Sequence, residues 1–243
     1  MTSDIRRPFK RILLKLSGEA LSGDRDFGID PSQLVKTAAE IASVRNSGTD
    51  VALVVGGGNI FRGLKSEYFG VDRVVGDHMG MLATVINSLA LGQAIESTGC
   101  KAVVMSAVQM PGIALPYVRE RALEVLAEGR ILIAAAGTGN PFFTTDTAAA
   151  LRALELNADA LFKATKVDGV FDSDPELNPN ARHFARLSYG EVIARNLKVM
   201  DLTAVSLAME KRLPVVVFNI RKAGNILKAA KGEKIGTLIT GDG

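Results

Sequence analysis

The sequence predicts an α/β fold, a three-layer αβα sandwich with a mostly parallel central sheet. Three observations carry that prediction. Short apolar runs without polar alternation recur along the chain, which is the pattern of strands buried on both faces. Between them lie stretches with apolar residues at spacings of three and four, and strand–helix alternation of this kind covers a sheet on both sides. Glycine-rich loops stand where apolar runs give way to helical patterns.

Taken in order, the apolar runs occupy residues 12–16, 51–55, 102–105, 131–136, 160–162 and 215–218. Asp30 and Pro31 start the first clear helix, since proline suits a first helical position, and Leu34, Val35, Ala38 and Ile41 form its apolar face. A long helix carries Met79, Leu82, Ala83, Ile86, Leu89, Ala90 and Gln93, with Asp77 expected at its start. Further helical patterns cover residues 117–127, 147–156, 202–211 and 223–230. Residues 165–187 break the rhythm, being rich in Asp, Asn and Pro without either periodicity, and loops of such length are usually functional or mobile. With no internal repeat and no linker, the expectation is a single domain over residues 1–243, built from two fused lobes.

Composition narrows the function classes. The 243 residues are 47% hydrophobic and 23% charged, ordinary values for a globular chain and well away from those of disorder. The 29 Lys and Arg are interspersed with 26 Asp and Glu for a net charge of +3, with no basic stripe and no tryptophan. That balance suits attraction of small anions into clefts and argues against a nucleic-acid partner. Cys100 is the one cysteine, so an internal disulfide is excluded, and its place before an apolar run reads as a structural thiol. His78 and His183 lie far apart without cysteine partners, which argues against zinc. No apolar window of about 18 residues stands out as a membrane span, and the basic start is not followed by a leader-like segment. A cytoplasmic protein with no membrane partner is expected.

The glycine loops carry the chemistry. Residues 137–146 read Gly-Thr-Gly-Asn-Pro-Phe-Phe-Thr-Thr-Asp, between an apolar run and a helix. Glycines let a backbone approach a ligand, and a helix start offers unpaired N–H groups to an anion. Asp146 there either caps the helix or holds a cation. The same arrangement recurs at Lys15 to Gly18 and at Gly56 to Gly58. A P-loop is excluded because Leu64 stands where lysine must follow the second glycine, and a dinucleotide fingerprint fails at Phe61 and Phe142. The catalytic-loop signature of protein kinases is missing too. Lys15 and Lys163, each at the end of an apolar run, remain as the groups to neutralise a moving phosphoryl, because that reaction needs charge and positioning more than a nucleophile. Arg62 can fork onto phosphate oxygens, and Asp77 reads equally as a ribose ligand or as an N-cap.

With these residues in view, the chain resembles the bacterial uridylate kinases of the amino acid kinase family along essentially its whole length. The resemblance rests on Lys15-Leu-Ser-Gly-Glu-Ala-Leu21, Gly56-Gly-Gly-Asn-Ile-Phe-Arg-Gly63, Gly76-Asp-His-Met-Gly-Met-Leu-Ala-Thr84, the 137–146 loop, Lys163-Ala-Thr-Lys-Val-Asp-Gly-Val-Phe171 and Val199-Met-Asp-Leu202. It implies the amino acid kinase fold and the reaction of UMP with MgATP, giving UDP and ADP in pyrimidine nucleotide synthesis. It places ATP phosphates on Lys15, Leu16, Ser17, Gly18, Gly58 and Arg62, and the nucleoside end on Thr165, Phe171 and Asp174. UMP falls to Gly57, Asp77, Thr138, Gly139, Asn140, Pro141, Phe142, Phe143, Thr144 and Thr145, so the N-terminal part is mainly UMP-binding and the C-terminal part mainly ATP-binding. Asp146 and Lys163 are added as catalytic residues beside Lys15, organising the lysines or magnesium; no residue is assigned as a direct magnesium ligand. The resemblance further implies a homohexamer activated by GTP and inhibited by UTP. Its GTP-response segment corresponds to Gly23, Asp24, Arg25, Asp26, Phe27 and Gly28. Two other readings stand beside this one, a kinase of carboxylate acceptors and a non-catalytic protein of the same fold that stores nucleotides or oxyanions.

Overall fold

The computed structural model describes residues 8–61 and 70–241. The expected phosphate ligand Arg62 therefore lies outside the described residues. The chain runs through β1 (Arg11–Leu16), α1 (Glu19–Ser22), α2 (Pro31–Asn46), β2 (Asp50–Val55), α3 (Arg73–Glu96), β3 (Ala102–Ser106), β4 (Leu115–Pro116), α4 (Arg119–Ala127), β5 (Ile131–Ala135) and α5 (Thr145–Glu155). It continues through β6 (Ala160–Thr165), β7 (Val170–Phe171), β8 (His183–Phe184), β9 (Arg186–Ser188), α6 (Tyr189–Ala194), α7 (Leu202–Glu210), β10 (Val215–Asn219), α8 (Asn225–Ala230) and β11 (Thr237–Thr240).

Nine strands form one sheet in the order β4-β3-β5-β2-β1-β6-β10-β11-β9, and every neighbouring pair is parallel except β10 with β11. Successive residues of the central strands feed opposite cores, as the two-residue period of a strand requires. On one face Leu13, Val54, Leu132, Leu161 and Val217 pack with Val125 of α4, Ala149 of α5 and Val205 of α7. On the other, Ile12, Leu53, Ile133, Phe162 and Phe218 pack with Ile41 of α2, Leu91 of α3 and Ile226 of α8. Phe162 meets Phe9 and Phe218 edge-on, at ring-centroid distances of 5.4 and 5.8 Å. The result is the expected three-layer αβα arrangement.

Every apolar run read as a strand is a strand. Asp30 caps α2 as its position before Pro31 suggests, accepting from Gln33 N at 2.9 Å. The start of the long helix needs correction. α3 begins at Arg73 and is capped by Asp72, whose carboxylate accepts from Val74 N at 2.9 Å, so Asp77 lies one turn inside the helix. That removes the N-cap reading of Asp77. Membrane-span reasoning also needs a correction, because α3 is long and apolar enough by length and composition to cross a bilayer. Its apolarity has another cause: Leu91 and Ile95 fill the core under the sheet, while Val75, Leu82 and Ile86 face outward. Residues 165–187 contain a short antiparallel pair, β7 with β8, before β9 returns to the sheet edge.

Candidate active site

In an open α/β sheet the carboxyl ends of the strands form the crevice where ligands bind. All three glycine loops lie there, after β1, β2 and β5. The crossover from β5 to β6 passes from one side of β1 to the other, which brings the loop after β5 and the end of β6 to the same opening.

Register puts the two lysines together. β1 and β6 are parallel neighbours with Lys15 opposite Lys163, so both side chains emerge on the face covered by α5. Asp146, in the first turn of α5, meets both: Lys15 Nζ lies 2.9 Å from Oδ1 and Lys163 Nζ 2.5 Å from Oδ2. The three side chains are only 13, 16 and 14% exposed for Lys15, Asp146 and Lys163, so their charges are weakly screened by water. Burial works to raise the Asp146 pKa, but the Lys15 and Lys163 ammonium groups outweigh it and hold the carboxyl below its ordinary value. Burial lowers the Lys163 pKa despite the attraction of Asp146, with Lys15 adding like-charge repulsion. Lys163 also donates to the Val199 carbonyl. Of the two sequence readings of Asp146, the structure shows the cation-holding one; Thr144 caps α5 instead, its Oγ1 accepting from Asp146 N at 3.1 Å and Thr147 N at 3.2 Å.

Glycine has a physical reason at two positions here. A Cβ on Gly57 would come within 2.7 Å of the Ala83 Cβ and 2.8 Å of the Gly80 carbonyl, so only glycine lets the β2 loop lie against α3. A Cβ on Gly18 would collide with the Asn59 amide and approach Gly56 O and Gly58 N to 2.9 Å, so the first two loops touch through bare backbone.

Asp146 and Lys163 line a cavity of about 350 Å³ together with Val199 and Asp201, and two further cavities hold the residues expected to bind nucleotides. One, of about 250 Å³, is lined by Gly57, Gly58, Arg73, Asp77, Thr84, Thr138, Asn140, Phe143, Thr144 and Thr145. Asp77 ties its walls together: it receives Arg73 Nε at 3.0 Å and accepts the Phe142 backbone N–H at 2.8 Å. Ala136 and Phe142 have φ of 63° and 70°, a left-handed conformation that costs energy in residues with side chains and that surrounding contacts must hold. Thr84 Oγ1 supplies one such contact by accepting from Ala136 N at 2.8 Å. Thr138 and Asn140 bond each other, Asn140 N donating to Thr138 Oγ1 at 3.1 Å. Gly139, like Gly137, takes positive φ. Pro141 completes the turn before Phe142 and Phe143, whose rings stand exposed at the rim.

The other cavity, of about 660 Å³, is lined by Lys163, Thr165, Gly169, Phe171, Asp174, Leu177, Val217 and the segment from Arg195 to Val199. The expected nucleoside residues Thr165, Phe171 and Asp174 thus share one wall. Phe171 stacks its edge on His183 at 5.2 Å. The segment 23–28 lies apart from both cavities, joined to the β2 loop through Gly28, whose N donates to Asn59 O at 2.8 Å, while Arg25 pairs with Asp30 at 3.1 Å.

Residues 10–219 match the amino acid kinase family. The chain belongs to the amino acid kinase family. Its fold is correspondingly close to the crystal structure of UMP kinase from Bacillus anthracis, with a TM-score of 0.94, 43% identity and 98% of each chain covered. UMP kinase from Ureaplasma parvum gives 0.90 and 35%, over 95% of this chain and 98% of that one. Uridylate kinase from Archaeoglobus fulgidus gives 0.74 and 30%, over 94% and 99%.

Reading this family member from sequence missed several groups that build the site. Asp201 caps α7 and accepts from Thr144 Oγ1 at 2.5 Å, Thr147 Oγ1 at 2.9 Å and Ala204 N at 3.0 Å, so it sutures α5 to α7 beside Asp146. Its Asp-Leu context at a helix start signalled a cap, but nothing local signalled the threonines. Arg73 and the Val199 carbonyl were equally silent, because their partners become neighbours only in the folded chain.

Proposed function

We propose that this chain transfers the γ-phosphoryl group of MgATP to UMP, giving UDP and ADP. The observation that carries the reading is the buried Lys15–Asp146–Lys163 centre at the carboxyl ends of the strands, with Lys163 lining the cavity of the residues expected to bind ATP and Asp146 following directly on Thr144 and Thr145 of the cavity of those expected to bind UMP. The similarity to UMP kinases along nearly the full chain supports the acceptor.

In the reaction a UMP phosphate oxygen bonds to Pγ as the bond from Pγ to the bridging oxygen breaks, and ADP leaves with that electron pair. The chain's contribution is electrostatic. Lys15 and Lys163 face the charge that spreads over the transferred group, and Asp146 keeps both ammonium groups aimed at one point before substrate arrives. Backbone groups of the turns at Gly18 and Gly58 face the ATP phosphates, with Arg62, while the wall of Thr165, Phe171 and Asp174 takes the nucleoside and Gly57 belongs to the UMP side. Asp77 and the 138–145 loop hold UMP. Asp146 is committed to two lysines and Asp201 to two threonines and a backbone N–H, so magnesium would be brought by the ATP phosphates and would supply further neutralisation of their charge. The expected division into an N-terminal UMP part and a C-terminal ATP part is consistent with these two cavities.

The same reading includes assembly and control. Val75, Met79, Leu82, Ile86 and Leu89 form an exposed apolar stripe along α3 at alternating spacings of four and three, a seam suited to a second copy of the chain within a homohexamer. GTP activation through residues 23–28 and UTP inhibition belong to the proposal as well, as does a place in cytoplasmic pyrimidine synthesis.

The test is ADP formation from MgATP with UMP, CMP, dUMP and acetylglutamate offered separately, each with and without GTP. Turnover confined to UMP is expected. Turnover with acetylglutamate instead favours a carboxylate kinase, and ATP binding without turnover favours a storage protein.

A further inference from the structure

A pair of buried amides pins the loops of the phosphate site, and no substrate-binding role accounts for it. Asn59 follows the Gly56–Gly58 turn and Asn87 lies in α3; they are 2% and 0% exposed. Their side chains exchange hydrogen bonds, Asn59 Nδ2 donating to Asn87 Oδ1 at 3.1 Å and Asn87 Nδ2 donating to Asn59 Oδ1 at 2.7 Å. Each amide nitrogen has a second N–H, and each spends it on a loop. Asn87 Nδ2 reaches Gly56 O at 2.7 Å, and Asn59 Nδ2 reaches Gly28 O at 2.8 Å. Gly28 N returns a bond to Asn59 O at 2.8 Å, and the Asn59 amide fills the space that a Cβ on Gly18 would need. One side-chain pair thereby joins α3, the β2 loop, the turn after β1 and the end of the 23–28 segment.

An apolar pair would fill this volume without the cost of burying two amides. What it cannot do is hold a particular carbonyl at a particular distance. We propose that Asn59 and Asn87 are a positioning pair for phosphoryl transfer, holding the Gly56–Gly58 turn, through the Gly56 carbonyl, in a fixed place against Gly18 so that the turns at Gly18 and Gly58 keep their spacing around the ATP phosphates. The inference rests on the reading of those turns as phosphate-binding. Neither asparagine touches substrate; the effect passes through the backbone they hold, and a misplacement of about 1 Å in such a site costs on the order of a hundredfold in rate.

The experiment compares Asn59→Ala, Asn87→Asp and the double variant with wild type in kcat and in KM for ATP and UMP, below the Tm of each. Asn87→Asp preserves volume and replaces the amide donor by a carboxylate oxygen facing Gly56 O and Asn59 Oδ1, so it breaks both bonds without opening a cavity. Each single variant is expected to lose about tenfold in kcat while KM for UMP moves less than about threefold, and the double variant is expected to be about as slow as the worse single one, as for residues that act as a unit. Amide hydrogen exchange of residues 56–60, measured without substrate, is expected to quicken in all three. Wild-type kcat in Asn87→Asp, or losses that multiply in the double variant, overturns the proposal. Wild-type turnover of UMP tests the underlying reading separately, since an inactive wild type defeats that reading whereas failure of the pair shows only in variants compared with an active wild type.

Discussion

The centre of the site and its acceptor rim are both organised by an aspartate, but in different ways. At the centre, Asp146 holds two ammonium groups that rise from adjacent, fully packed strands, and the whole cluster is withdrawn from water. At the rim, Asp77 holds one half-exposed arginine from its own helix and a backbone N–H of a loop whose aromatic side chains are exposed. The centre is preorganised charge on rigid elements, which under the proposed function acts on the transition state. The rim is a shape held by a few hydrogen bonds at the surface, which under the proposed function acts on binding. This difference predicts which kinetic constant each residue controls.

The largest effect tests the centre. Lys15→Ala is expected to lower kcat by about 10²–10³-fold, the range for losing one preorganised charge-stabilising donor, while KM for UMP changes little. Equal losses in kcat and in UMP affinity would show that Lys15 serves ground-state binding, and the contrast with the rim would collapse. Asp77→Asn follows, with KM for UMP raised about tenfold and kcat changed less. An unchanged KM together with a lower Tm would reduce Asp77 to a tie between Arg73 and Phe142.

A pH profile sharpens the centre further. Burial lowers the Lys163 pKa, so its ammonium is lost at a lower pH than the ordinary lysine value of 10.5. If protonated Lys163 stabilises the transferred group, kcat/KM, which reports the free enzyme, falls on an alkaline limb below that value. Bound triphosphate favours the charged lysine, so the limb in kcat is expected at higher pH than the limb in kcat/KM. Identical limbs in the two constants would mean that the titrating group does not face the phosphates. Lys163→Arg, which carries no titration in this range, is expected to abolish the limb whatever its activity.

The same contrast separates what the sequence makes legible from what it does not. The central strands are legible because burial on both faces leaves unbroken apolar runs such as Leu13 and Leu14, and the glycine loops because close backbone approach admits no side chain at Gly18 or Gly57. Lys15 and Lys163 stand out as charges at the ends of such runs. The short strands β9 and β11 are not legible, since their pairing joins Leu187 to Ile239, far apart in sequence. Asp72 and Asp77 look alike as helix-start carboxylates, and only backbone geometry tells the cap from the residue one turn further on. Asp201 is hidden for a similar reason: its threonine partners are 54 and 57 positions away.

The smallest expected effect lies on the boundary between the two regions, at Thr144. It closes the acceptor loop and starts the helix that carries Asp146, so its Oγ1 accepts from two N–H groups and donates to Asp201. Thr144→Ala removes the cap, which is worth about 1 kcal/mol, and the Tm is expected to fall by a few degrees. Thr147 and Ala204 keep their bonds to Asp201, so the α7 side of the suture survives. If α5 moves as a rigid piece of the centre, the loss of its cap leaves the Asp146 ion pairs intact and kcat falls by less than about threefold, with Thr144→Ser restoring both stability and rate. A drop in kcat as deep as that of Lys15→Ala would mean instead that the first turn of α5 is as adaptable as the rim, and that the aim of the two lysines depends on a single hydroxyl.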